Sequence, residues 1–121
     1  MKREIKFRAW TGLIMLHDGF AIMNGKVLHH NVGGLEFYGE YEYEIMQFTG
    51  LLDKNGKEIY EGDIINANIY LNEQDCHDIY FQNGDFRIRW SMFRLSELLE
   101  SSFNGRKVEV IGNIYENPEL L

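Results

Sequence analysis

Apolar and polar residues alternate in short runs along most of this chain, and turn-forming pairs separate the runs. Over residues 4–10, Ile5, Phe7 and Ala9 fall on one face and Lys6 and Arg8 on the other. A period of two is the mark of a half-buried strand. Asn-Gly occurs at Asn24-Gly25, Asn55-Gly56, Asn83-Gly84 and Asn104-Gly105. Between alternating runs this pair is the strongest short-range hairpin signal. The spacing predicts strands over 13–16, 20–23, 26–30, 37–43, from 45 onward, 64–71 and 107–115. A loop is expected over 32–35, where Gly33 and Gly34 sit. With Pro118 as the single proline, the ladders keep nearly all their donors.

Two hairpins can be read in detail. Within residues 50–65, Asp53 opens a type I turn, Lys54 and Asn55 form its centre, and Gly56 takes the left-handed position that closes it. That register sets Asp53 opposite Lys57, whereas a two-residue Asn55-Gly56 loop sets Lys54 against Lys57, which repels. Around Asn83-Gly84, a two-residue loop pairs Gln82 with Asp85, Phe81 with Phe86, Ile79 with Ile88 and His77 with Trp90. His77, Ile79, Phe81, Phe86, Ile88 and Trp90 then share the inner face. Asp78 meets Arg89 and Tyr80 meets Arg87 on the outer one, each pair worth about 0.2–1 kcal/mol. A one-residue slip would bury the arginines, so the register is well specified. One helix is predicted over 91–102, with Ser91 as N-cap, Met92, Leu95, Leu98 and Leu99 on one stripe, and Asn104-Gly105 as its stop.

Length and composition narrow the class. A chain of 121 residues is expected to form one domain spanning 1–121, with a core that needs no covalent staples. Its 2 Trp, 7 Tyr and 8 Phe favour pleated, half-buried surfaces. The fold expected is all-β or β-dominated α+β: a small, partly open, SH3-like barrel with hairpins and one short helix. Cys76 is the single cysteine, which excludes an internal disulfide and fits a reducing compartment. There is neither a signal-peptide pattern nor an apolar run of about 20 residues. A cytoplasmic protein with no membrane partner is expected. The formal net charge of −7 argues against broad binding to phosphate backbones.

Several clusters invite a chemical reading. Asp75-Cys76-His77-Asp78 resembles a metal-ligand run, but adjacent strand residues point to opposite faces, so the expectation is a core-facing His77 beside Trp90. His29-His30 has the same geometry, and His17 belongs to no spacing pattern. Glu40, Glu42 and Glu44 form a candidate acidic surface, with a solvated outer face as the plainer reading. Glu61-Gly62-Asp63 reads as a tight turn rather than an acid–base pair. Lys6, Arg8, Tyr80, Arg87 and Arg89 form a candidate binding surface, since small barrels bind single strands with aromatic platforms beside basic grooves. No phosphate-binding, dinucleotide-binding or nucleophile motif occurs. Catalytic residues, metal ligands and cofactors are therefore not expected.

Three segments carry a resemblance to a known family: residues 3–10 (Arg-Glu-Ile-Lys-Phe-Arg-Ala-Trp), residues 46–50 running on through 58–64 (Met-Gln-Phe-Thr-Gly and Glu-Ile-Tyr-Glu-Gly-Asp-Ile), and residues 110–121. In these the chain resembles the YopX family of bacteriophage and prophage proteins, found mainly in Gram-positive hosts. The matching positions include Gly50, Asp53, Gly56, Tyr60, Glu61, Gly62, Asp63, Gly112, Asn113, Tyr115, Asn117 and Pro118, for which a structural role is expected. The resemblance implies a mostly β fold and offers no catalytic residue to carry over. The function expected is a non-enzymatic accessory protein that binds a host or phage macromolecule, a protein partner or a second copy of itself. A nucleic-acid-binding module is the first alternative and a metal-dependent enzyme the second.

Overall fold

The computed structural model describes residues 3–30, 38–67, 75–100 and 108–121. In chain order the elements are β1 (Phe7–Trp10), β2 (Met15–Leu16), β3 (Phe20–Met23), β4 (Lys26–His30), β5 (Tyr38–Tyr41), β6 (Glu44–Leu52), β7 (Glu58–Tyr60), β8 (Asp63–Asn66), β9 (Cys76–Gln82), β10 (Asp85–Ile88), α1 (Leu95–Glu100), β11 (Glu109–Asn113) and a closing 3-10 turn, Pro118–Leu120. Among the described residues the fold is β-dominated with one short helix, a curled half-barrel sheet among smaller sheets. Contacts divide the chain into two compact units, Lys6–Gln47 and Met1–Ile5 with Phe48–Leu121, and the boundary falls inside β6.

In the smaller unit, β1 pairs antiparallel with β2 and with the first half of β6, Phe7 opposite Gln47 and Trp10 opposite Glu44. A second sheet has the order β3-β4-β5. Its β3–β4 hairpin turns at Asn24-Gly25, both residues at positive φ (53° and 77°), the requirement of a type I′ loop. Ala9, Val27 and Met46 are buried there. The outward position expected for Arg8 is overturned: Arg8 and Ala9 are consecutive and both buried, so β1 is covered on both faces. Ile5, expected inward, precedes the strand and is exposed. Nor is there one strand over 37–43. β5 ends at Tyr41 and β6 begins at Glu44, and across this break Tyr41 and Tyr43 stack on each other (centroids 4.9 Å, planes 5° apart) with His29 edge-on to both. Alternation along a single strand would have kept their rings further apart.

The larger unit contains the sheet β10-β9-β8-β11 and the pairing of the second half of β6 with β7. Ile59, Ile65, Ala67, Ile79, Ile88, Leu95, Leu98, Val108 and Val110 form its core, with Leu51, Phe86 and Leu99 packed against it. Helix α1 begins at Leu95, later than the 91–102 stripe predicts. Leu95 and Leu98 are buried, but Met92 is 90% exposed and precedes the helix. Ser91 does not cap α1: its hydroxyl donates to the Ile88 carbonyl and accepts from the Phe93 N–H, closing a local turn instead. The Asn104-Gly105 stop, the Gly33-Gly34 loop and the far ends of the strand over 64–71 and of the helix over 91–102 lie outside the described residues. Among those described, no helix is long and apolar enough to cross a membrane.

Candidate functional site

The sequence motif over residues 50–65 and the one at the end of the chain bind to each other through backbone groups. The type I turn forms as its residues require, with Gly56 at φ 79° and its N–H donating to the Asp53 carbonyl at 3.0 Å. Asp53 is buried, and its carboxylate accepts three backbone N–H groups: Asn55 (2.8 Å) and Lys57 (2.9 Å) on Oδ1, and Val110 (2.9 Å) on Oδ2. Burial pushes this carboxyl up, but the three N–H donors and the Lys57 charge outweigh it and hold the group below its ordinary range. Gly50, at φ 83°, sits between the Phe48–Tyr60 and Leu52–Glu58 pairs, where the register shifts. Such a bulge needs a residue that tolerates the left-handed region.

The second turn of the motif works the same way. Asp63 is buried and accepts the Tyr60 N–H at 2.7 Å, while the Gly62 N–H donates to Ile79 and the Gly62 carbonyl accepts from Ile114. Asn113 Oδ1 accepts the N–H groups of Tyr115 and Glu116, and Asn117 Oδ1 returns to the Asn113 N–H. A Cβ on Gly112 would lie 2.5 Å from Asn117 Oδ1, so only glycine leaves room for that return. Side-chain oxygens of Asp53, Asp63, Asn113 and Asn117 thus accept backbone N–H groups, and Asn113 Nδ2 donates to Glu116 Oε1, the arrangement of a clasp.

The residues singled out as a basic surface are divided between the two units. Lys6 and Arg8 belong to the smaller unit, and Arg8 is buried. Tyr80, Arg87 and Arg89 come together on the β9–β10 hairpin, in the expected register. There Arg89 Nε donates to both Asp78 oxygens (2.9 and 3.0 Å), and its guanidinium lies 4.3 Å from the Tyr80 ring centroid. Arg94 pairs with Asp85 and Glu97. Carboxylates thus answer the charge on Arg89 and Arg94. Of the acidic candidates, Glu42 and Glu44 are exposed, but the strand break described above removes the regular spacing assumed for Glu40, Glu42 and Glu44.

His77 is buried, with Nδ1 2.7 Å from the Arg89 carbonyl oxygen and Nε2 bonded to Oδ1 of buried Asp75. Both ring nitrogens are engaged, which leaves neither for a metal ion or for base catalysis in this conformation. Among the described residues, no group of three or more His, Cys, Asp and Glu is placed to hold a metal.

Sequence reading missed what stands beside this cluster. Trp90 does not join His77 on the inner face: it sits at φ 63° and is 83% exposed. Regular pairing stops at Ile88–Ile79, and the Ser91 N–H donates to the Ile88 carbonyl at 3.2 Å, so the chain turns at Arg89-Trp90. Met92 and Phe93 follow, both exposed, with half-exposed Phe81 on β9. A bulky residue at positive φ is a costly conformation, and the hydrophobic pattern alone gave no sign of it.

These features define a class: a small β-dominated protein whose polar motifs hydrogen-bond to backbone groups and whose larger unit displays aromatic and Met side chains at the end of a hairpin. The chain belongs to the YopX family, whose description, YopX protein, matches residues 6–121. It is also similar to a solved structure, the crystal structure of protein EF1440 from Enterococcus faecalis, at 30% identity and a TM-score of 0.71 over 99% of each chain. No curated protein matches.

Proposed function

We propose that this YopX-family chain is a non-enzymatic accessory protein of a phage or prophage, acting in the host cytoplasm by binding a partner protein through Trp90, Met92 and Phe93. The observation that carries this reading is the exposure of Trp90, Met92 and Phe93, 83%, 90% and 37%, within one four-residue segment. Aromatic residues and Met are enriched where proteins bind proteins, and a few such anchors supply most of the binding energy. The family resemblance supports the phage setting. Pairing of Arg89 with Asp78 and of Arg94 with Asp85 and Glu97 favours a protein over a nucleic acid, because phosphate binding draws on cationic charge that releases counterions.

The test is capture from a Gram-positive host lysate by the tagged protein and by Trp90→Ala and Met92→Ala variants, with and without nuclease. A nuclease-resistant protein recovered with the wild type and depleted at least tenfold by Trp90→Ala is the expected result. Equal recovery with both variants would refute the platform, and a catch abolished by nuclease would replace it with the nucleic-acid reading. Sedimentation of the pure protein separates self-association from a foreign partner.

A further inference from the structure

The Asn-Gly pairs at Asn24, Asn55 and Asn83 share one sequence and one exposure, but the fold treats them differently. At Asn24-Gly25 and Asn83-Gly84 the pair is the whole loop, with Met23 opposite Lys26 and Gln82 opposite Asp85. Both residues of each pair are at positive φ, 53° and 77° in the first and 55° and 80° in the second. Such a loop is closed by the flanking strand pair, so the glycine N–H is left over. Among the described residues, no group hydrogen-bonds to the N–H of Gly25 or Gly84, or to the side-chain amide of Asn24 or Asn83.

Asn55-Gly56 is held on every side. The Gly56 N–H donates to the Asp53 carbonyl at 3.0 Å and the Asn55 N–H to Asp53 Oδ1 at 2.8 Å. Asn55 Nδ2 donates to Glu109 Oε1 at 3.4 Å, and Asp53 is itself fastened by the Val110 N–H.

An Asn-Gly pair carries a reaction of its own. The glycine N–H loses its proton to base, and the nitrogen attacks Cγ of the asparagine side chain. The new bond closes a five-membered succinimide ring. The bond from Cγ to the side-chain nitrogen breaks, and that nitrogen takes up a proton and leaves as ammonia. Water then adds at either ring carbonyl and breaks its bond to the ring nitrogen, which gives aspartate or isoaspartate. Base and water are the only co-reactants, and nothing is oxidised or reduced. Glycine permits the attack because no Cβ crowds its nitrogen. A glycine N–H that is already donating must first give up its bond, which at the usual net worth of a hydrogen bond slows the step about tenfold.

We propose that Asn24 and Asn83 are modification sites, converted without an enzyme to aspartate and isoaspartate in the folded chain, while the Asp53 turn protects Asn55. Each event replaces a neutral amide by a carboxylate and adds negative charge to a chain already at −7. Isoaspartate also carries the backbone through the side chain and lengthens the loop by an atom. At Asn83 that loop joins β9 to β10, where the Phe81 and Phe86 rings meet at 5.1 Å between centroids. A two-residue loop lengthened in this way loses the geometry that sets Gln82 against Asp85. The chemistry is independent of any binding partner, so its outcome is separate from that of the capture experiment.

The test incubates the purified full chain, folded, in mildly alkaline buffer beside a sample held unfolded in guanidinium chloride. Both are digested, and each Asn-Gly peptide is followed by mass spectrometry for replacement of NH2 by OH, with chromatography separating isoaspartate from aspartate. Unfolded, the three sites should react at comparable rates, since each precedes glycine. Folded, Asn24 and Asn83 should each convert about ten times faster than Asn55, with isoaspartate among the products. Folded Asn55 reacting as fast as either of the others would overturn the proposal. So would Asn24 and Asn83 that stay intact while the unfolded sample reacts, or a folded order of rates that repeats the unfolded one. Asn104-Gly105 lies outside the described residues, and the peptide map reads it separately.

Discussion

Asp53 shows how much one side chain can hold. Its two oxygens close the 53–57 turn and fasten β11 to it through the Val110 N–H. A buried carboxylate bonded to N–H groups at 2.8–2.9 Å is strongly committed. Asp53→Ala leaves those donors without an acceptor and should lower unfolding stability by about 2–3 kcal/mol, read as a shift in the urea midpoint. The pH sign follows from the direction of its shift. Its folded value is depressed, so the stabilisation is fully present above the unfolded value of about 3.9 and is lost as pH falls through the folded one. Wild type should therefore lose stability on acidification below about pH 4 more steeply than Asp53→Ala. Parallel slopes would show that the carboxylate is not the linked group.

At the scale of elements, α1 and its approach separate sequence pattern from packing. Met92, Leu95, Leu98 and Leu99 share helical spacing, yet only Leu95 and Leu98 are fully buried and Met92 lies outside the helix. Leu98→Ala removes a side chain that is 1% exposed in the larger core and should cost about 2–5 kcal/mol. Met92→Ala should stay within about 0.5 kcal/mol of wild type. Thermal or urea unfolding of the two variants tests this directly. A costly Met92→Ala would mean that the segment before α1 packs in solution as the stripe predicts. The β9–β10 hairpin is the converse case: its register follows from Asn83 and Gly84 at positive φ and from the Asp78–Arg89 pair, all readable from residue types.

For the molecule as a whole, charge bears on the leading alternative. The net charge of −7, the burial of Arg8 and the pairing of Arg89 and Arg94 weigh against the basic groove expected of a single-strand binder. Titration with labelled single-stranded and duplex DNA at low salt should show no binding. Salt-sensitive binding lost in an Arg87→Ala, Arg89→Ala double variant would reverse that conclusion.

The sequence by itself determined what depends on neighbours along the chain. The β-dominated class, the Asn-Gly hairpins, the turn at Asp53 to Gly56 and the tight turn at Gly62 are local: period-two alternation and residues suited to positive φ specify them wherever the rest of the chain lies. Tertiary structure alone decided which polar groups were spent on which backbone. Nothing near Asp53 in sequence announces Val110, and nothing near His77 announces the Arg89 carbonyl. The burial of Arg8, the break between Tyr41 and Glu44 and the outward turn of Trp90 belong to the same kind. In each, contacts between residues distant along the chain, or across a strand pair, outweigh the alternation that local pattern can express.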